Sequence, residues 1–313
     1  MTVVAGFAPD GHGRAVLALA AMLARSAGED LVVCAVVPAA WPPSPARVDA
    51  EYQRHLDTAA SHALELARTR LPKDVAAELV VRHARSAPAG LLEVAEERGA
   101  AMIVAGSSAS GGAGQVSLGS VTSRLLHSSP VAVALAPRGF RPAGDARVER
   151  VTAAYGGAGE DLVVAGAGVA GRVGAALRIA SFAVRPLAPY TAGVGRDADD
   201  DMLEDWSEEI LASARAALDG IAQLPAAPHD LEAVVGRGET WEDALDDVDW
   251  RDGDVLVVGS SSIGPVARVF LGSRATKIVR NSPVPVVVVP RGVAADLAEK
   301  AVHIAEAVRT ADR

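Results

Sequence analysis

A chain of 313 residues is long for one average domain and suits two. Half of it is hydrophobic and only 4% is aromatic, so its cores must be built from Ala, Val, Leu and Ile. A formal net charge of −9 argues against broad attraction to nucleic acid or an anionic membrane, and the single cysteine, Cys34, excludes an internal disulfide and fits a reducing cytosol. The opening "MTVVAGFAPDGHGRA" lacks the charged start and apolar centre of a secretion signal. Every apolar run is broken by Pro, Gly or charge before the roughly 18–20 residues of a membrane helix. The expectation is a cytoplasmic protein with neither nucleic acid nor membrane as partner.

Taken in chain order, short continuous Val/Ala/Ile runs near 2–7, 31–37, 77–83, 101–105 and 131–136 read as strands. Stretches 12–27, 49–70, 88–98 and 120–128 between them read as helices. The strands do not alternate apolar with polar, so both of their faces are covered. Alternating strand and helix with two-faced burial predicts a doubly wound parallel sheet of five strands.

The chain then repeats itself. "MIVAGSSASGGAGQVSLGSVTSRLLHSSPVAVALAPRG" from Met102 returns as "VLVVGSSSIGPVARVFLGSRATKIVRNSPVPVVVVPRG" from Val255, every landmark 153 residues on. A long internal repeat requires the same elements in each copy. The N-terminal parts align at an offset of 148, which puts "RVTAAY" on "TVVAGF" and Pro186 on Pro38, with the second copy five residues longer in the middle. The expected domains are 1–140 and 148–292, joined by the Pro-, Gly- and charge-rich "PRGFRPAGDARVER". A tail over 293–313 places Leu297, Ala301, Ile304 and Val308 on one helical face. The last strands of the copies, 131–137 and 284–290, are apolar edges that need covering, and they are expected to pair with each other or across a dimer. Pro285 removes one amide from that ladder.

This alignment also decides how to read "DLVVAGAGVAGRVGAALRIA". Gly166, Gly168 and Gly171 form G-x-G-x-x-G, the outline of a dinucleotide fingerprint. The repeat instead lays Leu162 to Ala176 on the first helix of copy one. The window some 20 residues on, "VRPLAPY", has no acid to hold a ribose. The expectation is a helix with small residues for close packing, and no NAD or flavin.

After the fourth strand each copy turns small and flexible, "GSSASGGAGQVSLGS" and "GSSSIGPVARVFLGS", and a helix opens at the closing Gly-Ser. In a doubly wound sheet ligands bind at this carboxyl end. Glycines let a backbone approach a phosphate, helix-start amides donate to it, and Ser120 and Ser273 are natural N-caps. A strand-to-helix turn that binds nothing fits these residues equally well.

Strand, G-S-S, a glycine-rich loop, L-G-S, helix, S-P-V and strand together resemble the universal stress protein family, twice over and across essentially the whole chain. The resemblance implies two tandem domains of the adenine nucleotide alpha-hydrolase-like type, a stress-linked binding or signalling module without a catalytic reaction, and pairing through the last strand. A homodimer and an intramolecular pseudo-dimer are both compatible with it. In ATP-binding members the third glycine follows the first by 13 positions, as Gly119 follows Gly106 and Gly272 follows Gly259. ATP is therefore the implied ligand. The residues carried over are Gly106, Ser108, Ala109, Gly119, Ser120, Val121 and Thr122 in copy one, and Gly259, Ser261, Ser262, Gly272 and Ser273 in copy two. The family's middle glycine is Ala109 and Ser262 here, and its strand-ending Asp falls on Ala8 and Gly156, with Asp10 two residues beyond Ala8. Copy one keeps Gly-Ser-Val-Thr at the phosphate end; copy two has Gly-Ser-Arg-Ala. A nucleotide-free scaffold acting through protein contacts is the alternative.

Other motifs read blandly. There is no Walker loop and no G-x-S-x-G elbow. His55 and His62 share a helical face without further ligands. "DDVDWRDGD" (246–254) puts its Asp-Gly one residue late for a calcium loop and reads as a helix end entering a strand, and the acids of 196–209 suit a helix start. No metal site and no catalytic residue is expected.

Overall fold

The structure, a computed structural model, describes residues 2–8, 13–39, 47–108, 114–157, 160–185, 196–224, 227–260 and 271–299. The first repeat forms β1 (Thr2–Gly6), α1 (Gly13–Ala27), β2 (Asp30–Pro38), α2 (Arg47–Arg70), β3 (Ala77–Ala84), α3 (Ala87–Glu97), β4 (Ala100–Gly106), α4 (Ser120–Ser128) and β5 (Ala132–Ala136). The second forms β6 (Arg150–Ala154), α5 (Glu160–Val173), β7 (Ala176–Val184), α6 (Arg196–Ala222), β8 (Leu231–Gly238), α7 (Trp241–Asp246), β9 (Asp254–Gly259), α8 (Ser273–Asn281) and β10 (Val286–Val289). Each repeat is the five-stranded, doubly wound parallel sheet that the uniform apolar runs require.

The ten strands make one sheet in the order β3-β2-β1-β4-β5-β10-β9-β6-β7-β8. All pairs are parallel except β5 with β10, where Val286, Val287 and Val288 lie antiparallel to Leu135, Ala134 and Val133. Of the two arrangements open to the last strands, this is pairing with each other, and it covers both apolar edges. Pro285 sits just outside the ladder, where its carbonyl accepts from the Leu256 amide at 2.9 Å. One face of the sheet packs against α1, α2, α5 and α6 through a core including Leu17, Leu19, Val33, Ala167 and Ile179. The other packs against α3, α4, α7 and α8 through Leu91, Leu125, Leu245 and Val279.

The G-x-G-x-x-G stretch lies inside α5. Gly166 is buried against the sheet; a Cβ built on it would stand 3.6 Å from Leu177 and 3.7 Å from Ala153. Gly174 ends the helix at φ +70°, as Gly28 ends α1 at φ +65°. The Ala175 amide then donates to Ala170 and the Glu29 amide to Ala24, the same helix-closing bond in both copies.

That match corrects the repeat alignment. Leu177 stands where Leu31 stands, opposite Val151 and Val3 respectively, so Val184 and not Pro186 is the counterpart of Pro38. A slip of two residues along a strand returns every side chain to the same face, so apolar pattern alone cannot detect it. Residues 291–299 continue as a helix after β10, with Ala294 and Ala298 buried and Val293 and Leu297 packed against the core. Ala301, Ile304 and Val308 lie outside the described residues. The acids of 201–209 lie within α6, and the 246–254 stretch runs from the end of α7 into β9.

Candidate functional site

At the carboxyl end of the first sheet, β1, β2 and β4 stop around a cleft of about 360 Å³. Gly106, Ser108, Gly119, Ser120, Val121 and Thr122, drawn from two segments of chain, all line it. Ala109 lies outside the described residues.

The helix that faces the cleft spans the residues its sequence suggests, but its cap lies one residue earlier. Gly119, not Ser120, is the N-cap of α4, with φ −78° and ψ 177° and no side-chain cap bond. Gly272 does the same for α8. The correction has a steric cause in the first copy. A Cβ on Gly119 would stand 3.0 Å from the Ser108 Cβ, so any larger residue there must push the two crossing segments apart by a few tenths of an ångström. Thr122 Oγ1 instead donates to the Gly106 carbonyl at 3.0 Å and ties the helix to the strand end. The amides of the first turn therefore have no side-chain acceptor from a cap, and they carry the positive end of the helix dipole.

Ser107 is the organising residue that the sequence reading passed over. It is buried, its amide donates to Ala136, its Oγ donates to Gln115 at 3.2 Å, and it accepts from the Ser117 amide at 2.6 Å. Its counterpart Ser260 donates its amide to Val289 and accepts from the Arg291 amide at 2.9 Å. A serine directly after the strand-ending glycine in both repeats was the available signal.

The floor of the cleft is apolar, with Phe7, Val36, Leu91 and Cys34. Burial pushes the Cys34 thiol up to about 11 against the opposing pull of Arg82, so it stays protonated. Ala8 is exposed at the rim and supplies no carboxylate, and Asp10 lies outside the described residues.

The second cleft, about 470 Å³, occupies the equivalent place. Gly259 lines it, but Arg274 and Ala275 stand where Val121 and Thr122 stand in the first. Gly272 and Ser273 open α8; Ser261 and Ser262 lie outside the described residues. Gly156 is exposed at its rim and, like Ala8, offers no carboxylate. A third cavity of about 260 Å³ lies over the strand seam between α1 and α5, with walls dominated by aliphatic side chains such as Leu23, Met102 and Val169. It is unsuited to a charged ligand. His55 and His62 are exposed on α2. Among the described residues no group of three or more His, Cys, Asp or Glu is placed to hold a metal ion, and no helix is long and apolar enough to cross a membrane.

A profile of the universal stress protein family matches residues 1–137 and 150–290. Universal stress protein Rv2319c of Mycobacterium tuberculosis is 42% identical over 296 residues, covering 93% of this chain and all of the relative, and universal stress protein Mb2346c of Mycobacterium bovis matches equally. Among solved structures, a universal stress protein of Archaeoglobus fulgidus superposes with a TM-score of 0.58 at 19% identity, over 93% of this chain and 98% of the other. A Pseudomonas aeruginosa protein of unknown function gives 0.54 at 15% identity over 96% and 97%. These distant structures share the fold.

Proposed function

The chain belongs to the universal stress protein family, and we propose that it is a non-catalytic stress regulator whose first domain binds an adenine nucleotide, ATP in the first instance. The observation that carries the reading is the start of α4. Three successive residues, Ser120, Val121 and Thr122, face a cleft behind a glycine cap that brings no side chain of its own. Such a helix start is matched to phosphate by its amides and by its dipole. Ser107 and Thr122 hold the two crossing segments in place, and the apolar floor gives a nucleobase somewhere to shed water. In this reading the residues bind and orient the ligand; the neutral Cys34 thiol and the exposed Ala8 supply neither nucleophile nor base. The protein works in the cytoplasm as its own pseudo-dimer, joined through β5 and β10.

A second reading has its own support. Neither Ala8 nor Gly156 supplies the carboxylate that the family's nucleotide binders place there, which favours a nucleotide-free scaffold acting through protein contacts. Calorimetry decides between them. Wild type is expected to bind ATP, and Gly119→Asp to abolish binding by placing a carboxylate where phosphate must sit. Val121→Asp, at an exposed position that strains no packing, is expected to weaken it at least tenfold. Absence of ATP binding in wild type supports the scaffold; unchanged affinity in both variants removes the nucleotide from this cleft.

A further inference from the structure

The second cleft gathers side chains that the rest of the chain hardly uses. Aromatic residues are 4% of the sequence, yet Tyr155, Phe182, Trp206 and Trp241 all line this one cavity. An adjoining lobe of about 280 Å³ shares Phe182, Trp206, Trp241 and Arg274 with it. The comparison with the first domain is residue by residue. Phe182 on β7 takes the place of Val36 on β2. Trp241 opens α7 directly after its capping Thr240, as Ala87 opens α3 after Ser86. Arg274 takes the place of Val121. Two small side chains have become rings, and an apolar one a cation.

Arg274 and Arg291 line the cleft, both exposed, and neither guanidinium has an ion-pair or hydrogen-bond partner among the described residues. Among the described residues Asp161 is the acid that lines the cavity with them, and Lys277 lies 5.6 Å from the Trp241 ring centre. Among the described residues, two arginines against one aspartate, with Lys277 nearby, give the lining an excess of positive charge that suits an anion. A planar guanidinium fork fits a carboxylate, and indole faces fit a flat ring.

We propose that this cleft binds a planar aromatic carboxylate, its ring against Trp206 and Trp241 and its carboxylate met by Arg274 and Arg291. The site is separate from the nucleotide reading of the first domain and does not depend on it.

The test uses the full chain and 2-naphthoate as probe, followed by calorimetry. Wild type is expected to bind it, and the neutral 2-naphthylmethanol at least tenfold more weakly. Arg274→Ala and Arg291→Ala, both at exposed positions, are each expected to weaken naphthoate binding about tenfold, the loss of one charged hydrogen-bonding partner. Val121→Asp, at an exposed position of the first cleft, should leave naphthoate affinity unchanged. No binding to wild type at millimolar probe, or wild-type affinity in both arginine variants, overturns the proposal. So does loss of naphthoate binding in Val121→Asp, which would place the probe in the first domain. ATP binding that survives Gly119→Asp and is lost in Arg274→Ala would make the second cleft a phosphate site and would also overturn it.

Discussion

Arg150 and Asp254 face each other across β6 and β9 and close a bidentate ion pair, Nε to Oδ1 at 2.9 Å and Nη2 to Oδ2 at 2.6 Å, with both residues buried. Arg178 approaches the same carboxylate at 3.5 Å, donates to Thr152 and the Asp249 carbonyl, and stacks over Trp250 at 4.6 Å. Burial and the neighbouring Arg150 lower the Arg178 pKa from its ordinary value. The first domain has Thr2 and Val32 in the places of the two arginines. Asp254 thus serves two guanidinium groups inside the second domain, and the half-exposed Glu232 adds a contact to Arg150 Nη1 at 3.3 Å. Asp254→Asn should destabilise the protein by about 3–5 kcal/mol, because it strands buried positive charge. Urea unfolding reads this directly, and a loss under about 1 kcal/mol would contradict it.

Arg25 makes a comparable clasp at the surface of the first domain. It holds Asp74 through Nε at 2.6 Å and Nη2 at 3.0 Å, and donates to the carbonyls of Gly144 and Ala146 in the interdomain linker. Its hydrogen bonds keep the Asp74 carboxyl below the usual carboxylate range. A depressed carboxyl adds stability above its unfolded pKa of about 3.9 and loses that contribution as pH falls through the folded value. The gap in denaturant midpoint between wild type and Asp74→Asn should therefore narrow from pH 7 to pH 3. A gap that stays constant across that range would count against the pair.

Cys34 titrates in the opposite sense. With its thiol pushed up to about 11, the fold resists a thiolate that the unfolded chain accepts near pH 8.5. Its contribution is complete below that unfolded value and fades as pH climbs towards 11. Cys34→Ala should lack this alkaline loss. In the native protein, labelling by a disulfide reagent at pH 8 should be at least about a hundredfold slower than for free cysteine. Labelling at the free-thiol rate would show that the floor of the first cleft opens to solvent.

Gly166→Ala tests the α5 assignment. The added methyl would meet Leu177 and Ala153 at ordinary van der Waals distance, so the helix gains the better former without a clash. Stability should rise by up to about 1 kcal/mol, seen as a higher Tm. A marked fall would mean that this segment packs more tightly than its neighbours indicate.

The sequence carried most of the fold. Val/Ala/Ile runs located the strands, and G-S-S…L-G-S lies along the first cleft and, through Gly259 and Ser260, along part of the second, because strand burial and helix starts are local properties. Three features were not local. The two-residue slip between β2 and β7 is invisible to a period-two pattern and shows only in Gly28 and Gly174. The glycine cap of α4 depends on how closely residues 107–108 cross residues 117–119. The rings of the second cleft come from the residue after β6 and from β7, α6 and α7, and nothing in their spacing along the chain announces that they meet.

The covalent link between the two halves has an evolutionary consequence. When two identical chains pair through one strand, every substitution appears in both clefts at once. Joining the copies in one chain, with β5 laid against β10, keeps the pairing and frees each half to vary by itself. Trp241 and Arg274 could enter the second cleft while Ala87 and Val121 stayed in the first. One chain can therefore present two different chemistries on a shared sheet, which a symmetric pair of single-domain chains cannot do.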